Sequence, residues 1–137
     1  MGATSKHFSD TELACHHCHI NDCKQTLVDA LEAVRSLLPP LSSGQARALL
    51  VNDAYRCPEH NATTPNSAKN SVHMQGLAAD IRADGINPRE LEALANKVLA
   101  IKGIGRADNQ DYLHVDVRET PARWCYDAAG KTEAYYA

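Results

Sequence analysis

Apolar residues recur along this chain with two periods, one typical of helices and one typical of strands. The clearest helical spacing places Leu27, Leu31, Val34 and Leu38 on one face, with charged residues between them. Two prolines follow Leu38, and proline lacks the backbone donor that a helix interior needs. The pattern therefore predicts a core-packing helix that ends at Leu38.

Two shorter helices are indicated by capping residues at their starts. Ser9 and Glu12 form a capping box, in which side chains and backbone N–H groups satisfy each other. Asn87 and Glu90 repeat the pattern, with a proline at the first helical position between them. Gly103 is of the residue type that commonly ends a helix, so we expect it to terminate this one.

Three other stretches have the composition or the alternation of strands. Strands are predicted over 48–52, over 78–82 after a turn at Gly76, and over 112–117. The interval 57–70 is rich in Pro, Asn, Thr and Ser and is predicted to be a loop. Alternate side chains of a strand point to opposite faces, so the third strand has a polar and an apolar face. Its polar face consists of Tyr112, His114 and Asp116.

Length and composition fit one globular domain over residues 1–137. The formal net charge is −3, and no basic surplus points to nucleic acid. No apolar stretch approaches the length of a membrane-spanning helix, and no apolar core of a signal peptide is visible. We therefore expect a monomer that binds no nucleic acid and is not inserted in a membrane.

The most informative segment runs from Ser71 to Asp80 and carries His73. A carboxylate at the start of an apolar strand is costly to bury without a cation. Histidine and aspartate are both zinc ligands, and His114 on the last predicted strand supplies a third. Three protein ligands leave a position for water, which is the plan of a catalytic rather than a structural zinc site.

A second group of metal-binding residue types lies at 15–23, where Cys15, Cys18 and Cys23 stand among histidines. These cysteines could hold a second, structural zinc. Reduced thiols that pack a loop, a disulfide within the segment and a disulfide to Cys57 are the alternatives. The chain has five cysteines, so they cannot all pair with one another.

Several segments resemble the M15 peptidases, which are zinc D-Ala-D-Ala carboxypeptidases and muralytic endopeptidases and share their fold with hedgehog amino-terminal domains. The resemblance rests on SxHxxGxAxD at 71–80, the later His114 and Asp116, FSDTELAC at 8–15, VNDAYRCPEHN at 51–61, and Arg123 with Trp124. One departure is Ala54, where the family usually has glycine. The similarity extends over roughly residues 8–125.

The resemblance implies an α+β fold in which helices pack on a small antiparallel sheet, with a zinc site at the sheet. It implies His73, Asp80 and His114 as the zinc ligands and places Arg56 beside the metal. The guanidinium of Arg56 would hold a substrate carboxylate or stabilise charge on the tetrahedral intermediate. Ser71 would contribute a hydrogen bond to the substrate or to a zinc ligand.

Two acids compete for the role of general base. Asp111 stands three residues before His114, as the base does in the endopeptidase branch of the resembled family. Asp116 stands two residues after His114 and shares its strand face. We favour Asp111, although an odd offset in a strand points away from the ligand unless the chain bends there.

By the same resemblance, the substrates would be the stem peptides or cross-links of bacterial peptidoglycan, cut by a D,D-carboxypeptidase or an endopeptidase. A phage endolysin that stays in the cytoplasm until release fits the absence of a visible signal peptide; export by a route not visible in the sequence is the alternative. Two other classes are kept: a zinc-containing cell-wall-binding module without hydrolysis, and a Cys/His zinc adaptor centred on 15–23.

Overall fold

The computed structural model of the protein describes residues 2–64 and 71–135, with side chains described up to Thr132. Helices and strands are mixed along this part of the chain, as expected for an α+β protein. The helices are α1 (Asp10–Leu13), α2 (Gln25–Leu37), α3 (Pro58–Thr63) and α4 (Pro88–Ala95). The strands are β1 (Leu50–Asp53), β2 (Ala78–Arg82), β3 (Gly103–Ala107), β4 (Tyr112–Asp116), β5 (Ala122–Tyr126) and β6 (Thr132–Tyr135).

The strands of the described residues form one sheet in the order β1-β2-β4-β3-β5-β6. Neighbouring strands are antiparallel, as expected, apart from the parallel pair β3 and β5. The parallel pair follows from the chain path. Both edges of β4 are already occupied, by β2 and β3. The next strand, β5, therefore pairs with the free edge of β3 and runs parallel to it.

The predicted apolar face of α2 is buried in the main core, with Leu27, Leu31 and Val34 fully inaccessible to solvent. The same core includes Leu91 of α4. Strands β2 and β4 contribute their apolar residues Ala79, Ile81, Leu113 and Val115. Because side chains alternate along a strand, Asp80 and His114 project from the opposite face of the sheet.

The predicted helix end at Gly103 is wrong. Helix α4 ends at Ala95, and Gly103 is the first residue of β3. The chain has already joined the sheet one residue earlier, because the N–H of Lys102 donates to the carbonyl of Asp116 at 2.9 Å. Gly103 therefore begins a strand and does not end a helix.

Part of the predicted loop 57–70 is helical. Helix α3 begins at Pro58, a favoured first helical residue, and the sulfur of Cys57 accepts the N–H of His60 as a cap. Cysteine is not among the preferred capping residues, so the composition concealed this helix. The end of that predicted loop, 65–70, lies outside the described residues.

The N-terminal segment is tied to α2 by the carboxylate of Glu32. The hydroxyl of Ser5 donates to it at 2.5 Å and the backbone N–H of His7 at 2.9 Å, while Nδ1 of His7 lies 2.7 Å from its second oxygen. Partial burial opposes ionisation, but these hydrogen bonds hold the pKa of Glu32 below its ordinary value. This cluster anchors the chain just before α1 and the cysteine segment that follows.

Glu32→Gln should lower the free energy of unfolding by about 1–2 kcal/mol at neutral pH, because the charged acceptor of these bonds is lost. A lowered folded-state pKa means that the stabilisation is complete above the ordinary value of about 4.3 and is lost as the pH falls through the folded-state value. Denaturant unfolding of both proteins at several pH values measures the difference. Glu119→Gln, at an exposed position, removes the same charge as a control. A difference that does not shrink in acid would contradict the assignment.

Candidate metal centre

Two adjacent strands and one tight turn bring three candidate ligands together. Asp80 of β2 and His114 of β4 are direct cross-strand partners. His73 lies in the 3-10 turn Val72–Gln75, which leads into β2 and ends at Gly76. Gly76 has φ +71°, and a Cβ there would lie 2.0 Å from the carbonyl oxygen of Asp22. Only glycine fits this turn, on conformational and on steric grounds.

The ligand atoms of His73, Asp80 and His114 all lie within 4.8 Å of one another. Oδ1 of Asp80 is 3.4 Å from Nε2 of His73 and 3.2 Å from Nδ1 of His114. Both histidines are buried, at 3% and 4% exposure. The residues predicted to form one metal site are therefore neighbours in the fold.

The second nitrogen of each imidazole is occupied by a different acceptor. Nδ1 of His73 donates to the carbonyl oxygen of Ala54 at 2.7 Å. Nε2 of His114 donates to Oδ2 of Asp116 at 2.7 Å. These acceptors hold the two rings so that Nε2 of His73 and Nδ1 of His114 face Asp80. Once both nitrogens have lost their protons to a bound metal, two imidazole nitrogens and one carboxylate oxygen are a donor set that suits Zn²⁺.

Asp116 lies behind His114, on the side of the ring away from Asp80. It has no exposed surface. Besides His114, it accepts hydrogen bonds from the backbone N–H, Nε and Nη2 of Arg118 at 3.1, 2.8 and 2.7 Å. Burial opposes its ionisation, but the bonds from His114 and Arg118 keep its pKa well below the ordinary value. Asp116 is thus a fixed anion that orients the His114 ring.

The site holds strongly perturbed charges. Burial opposes the ionisation of Asp80, but His73 and His114 keep the pKa of Asp80 well below its ordinary value. Burial alone would lower the pKa of His114, yet hydrogen bonds to Asp116 and Asp80 raise that pKa to about 9. The buried carboxylates thus favour a positive charge at this point, as a metal-binding site requires.

Two glycines of β3 make room for the groups that support His114. A Cβ on Gly103 would lie 2.2 Å from the carboxylate of Asp116, and a Cβ on Gly105 would lie 2.4 Å from the indole nitrogen of Trp124. The ring centroid of Trp124 is 5.1 Å from that of His114. Trp124 therefore packs against the ring of His114.

Arg56 is fixed beside the site by partners that the sequence analysis missed. Its Nε and Nη2 donate to Asp53 at 3.1 and 2.7 Å, and its Nη1 donates to Asn61 at 3.0 Å. Its backbone N–H donates to the carbonyl of His73. Asp53 is three residues before Arg56, but that spacing indicates a pair only in a helix. Asn61 belongs to α3, which was predicted as loop.

Two tyrosines share the face of the sheet that carries the site. The ring centroids of Tyr112 and Tyr126 are 5.9 Å apart. Burial, together with the charge of Asp80, raises the pKa of Tyr126 to about 12, and the same two causes raise the pKa of Tyr112. The charge of Arg56 opposes both shifts.

The two remaining predicted site residues, Asp111 and Ser71, lie at the ends of the elements that carry ligands. Asp111 is exposed, precedes β4 and has φ +57°. This left-handed residue supplies the bend at the strand start that would let its side chain leave the strand alternation. Ser71 is buried, and its hydroxyl accepts the N–H of His73 at 3.2 Å. Ser71 therefore caps the turn that presents His73.

The sequence analysis included Cys23 among the cysteines that could hold a second zinc, and this choice is wrong. Sulfur atoms of Cys15, Cys18 and Cys57 lie within 4.8 Å of one another, whereas Cys23 is not part of this group. Cys23 is buried in the core, with its sulfur 3.7 Å from the carbonyl of Leu13. The chain turns inward after Cys18, and its place in the cluster is taken by the residue that precedes α3.

The sheet with its His/Asp/His cluster agrees with the comparison to known families. A family model described as Peptidase M15 matches residues 6–116. The chain belongs to this family and is a peptidase. Comparison with curated proteins gives no match. Within the part of the chain that the structure describes, every helix is too short or too polar to cross a membrane.

Asp116→Asn should weaken zinc binding by about 10–100-fold, because the substitution removes the anion that orients His114. Competition with a chromophoric chelator measures the affinity, and circular dichroism verifies that the variant is folded. Asp84→Asn changes an exposed carboxylate on the same chain and serves as the control. A folded Asp116→Asn protein with the affinity of the wild type would show that Asp116 does not support the metal.

Proposed function

We propose that this peptidase is a zinc metallopeptidase that hydrolyses peptide bonds in bacterial cell-wall peptidoglycan. The observation that carries the proposal is the triangle formed by Nε2 of His73, Oδ1 of Asp80 and Nδ1 of His114. Each imidazole has its other nitrogen tied to an acceptor, so both rings present their remaining nitrogen to the same place. Three such ligands leave a coordination position for water or substrate.

These three residues would hold the metal, and their chemistry matches zinc. When bound, zinc supplies Lewis-acid activation of water and polarisation of the scissile carbonyl. The protein's part is to keep the ligands in place: Ser71 caps the turn of His73, and Asp116 fixes the ring of His114. The buried setting strengthens the electrostatic interactions of these groups.

We assign the proton transfer to Asp111. Asp116 has no exposed surface, and its oxygens are taken by His114 and Arg118, so it cannot reach an attacking water. Asp111 is accessible and directly precedes Tyr112, which faces the site. Its left-handed backbone supports the assignment, because a bend at this residue takes it out of the strand alternation that would point it away. Asp111 would take a proton from water and deliver it to the leaving amine.

Arg56 is the group best suited to bind anionic parts of the substrate. Its three hydrogen bonds to Asp53 and Asn61 hold the guanidinium still, and a guanidinium carries more donors than these bonds use. The remaining donors would meet a substrate carboxylate or the oxyanion of the intermediate. Peptidoglycan stem peptides offer free carboxylates, which supports this substrate class for a D,D-carboxypeptidase or an endopeptidase, including a phage endolysin.

Digestion of purified peptidoglycan by the zinc-loaded protein should release fragments that mass spectrometry identifies. His73→Ala should release none, because one of three ligands is lost. Stem peptides that have lost their terminal D-Ala would define a carboxypeptidase. Cleavage within a stem or within a cross-link would define an endopeptidase. Zinc binding without any fragments would refute hydrolysis of this substrate and favour the cell-wall-binding module.

Asp111→Ala should lower turnover by about 100- to 10,000-fold while the zinc content stays unchanged, because a general base is lost and no ligand is. Asp108→Ala, in the same turn between β3 and β4, is the matched control. Zinc analysis and turnover are measured on the same preparations. Retained activity in Asp111→Ala would remove the base role from this residue.

A further inference from the structure

A second group of potential metal ligands lies apart from the His/Asp/His cluster. Cys15 and Cys18 lie on the turn that follows α1, and Cys57 immediately precedes α3. Their sulfur atoms all lie within 4.8 Å of one another. Cys15 and Cys57 are buried and Cys18 is half-buried. Two segments that are 42 residues apart in sequence thus meet at this point, where the N–H of Cys57 donates to the sulfur of Cys15.

Backbone N–H groups donate hydrogen bonds to two of these three sulfurs. Cys15 accepts from the N–H of His17 at 3.4 Å and from the N–H of Cys57 at 3.3 Å. Cys57 accepts from the N–H of His60 at 3.5 Å. Such donors stabilise the form of cysteine that binds metals.

We propose that Cys15, Cys18 and Cys57 bind a second, structural Zn²⁺. Three soft sulfur ligands select zinc over magnesium or calcium, and zinc accepts thiolates in tetrahedral sites. Binding releases the thiol protons to solvent, so each sulfur binds as a thiolate. The fourth position belongs to water or to an imidazole of the adjacent histidines. Those histidines are His16, His17 and His60, and the ring of His60 lies 6.2 and 6.3 Å from the rings of the other two.

This zinc would hold the wall of the peptidase site that carries Arg56. Cys57 is the next residue after Arg56, and α3, which follows, contributes the Asn61 side chain that binds the guanidinium. A cross-link between Cys57 and the turn of Cys15 would restrain both. The proposal does not depend on the proposed substrate, because it concerns different ligands and a structural metal.

Metal analysis of protein purified under reducing conditions tests the proposal. Wild type should contain two zinc ions per chain, and His73→Ala and Cys18→Ser should each contain one. Cys125→Ser, which changes a half-buried cysteine outside the cluster, should keep two. One zinc in wild type that is absent from His73→Ala would overturn the second site. Cys18 is chosen because it is the least buried of the three, and thermal melting verifies that the variant is folded.

Cobalt substitution identifies the ligands independently of catalysis. Cobalt bound by thiolates gives a strong sulfur-to-metal charge-transfer band, which imidazole and carboxylate ligands do not give. The band should persist in His73→Ala and weaken markedly in Cys18→Ser. A cobalt-loaded wild type without the band would contradict the proposal, as would a Cys15–Cys57 disulfide found by mass spectrometry in protein prepared without oxidant.

Discussion

The carboxylate of Asp80 sets the main constraint on this structure. It is largely buried on the sheet, where an uncompensated anion would be costly, and it is shared by the imidazoles of His73 and His114. Each imidazole can face it only if its other nitrogen has an acceptor elsewhere. The carbonyl of Ala54 and the carboxylate of Asp116 fill those two roles. This arrangement therefore connects β2, β4, the turn before β2 and the residue that follows β1.

The supports of His114 depend in turn on the absence of side chains from β3. Gly103 leaves the space that the carboxylate of Asp116 occupies, and Gly105 leaves the space for the indole of Trp124. Arg118 then neutralises Asp116 and lies over Trp124, with its guanidinium carbon 5.1 Å from the ring centroid. The two glycines, the carboxylate of Asp116 and the ring of Trp124 therefore act together. Their common effect is to fix the orientation of the His114 imidazole.

Local patterns were sufficient to predict much of this site. The α2 face, the strand at 78–82 and the alternation of β4 follow from periodicity within short windows. The three candidate ligands were chosen by residue type and by the family resemblance, and the fold brings them together. Failures occurred where distant residues decide the outcome. Gly103 was expected to end a helix because its cross-strand neighbours were unknown, and Cys23 was preferred to Cys57 because it is closer in sequence. The Asp53–Arg56 pair was also missed, since its spacing has no meaning outside a helix.

Residues 54–57 connect the two groups of candidate ligands through the backbone. The carbonyl of Ala54 accepts from His73, and the N–H of Arg56 donates to the carbonyl of His73. The next N–H, that of Cys57, donates to the sulfur of Cys15. A displacement of this short segment would therefore disturb an imidazole, a guanidinium and a cysteine sulfur together. A metal bound by the cysteines would support the segment from one side, as the hydrogen bonds to His73 do from the other.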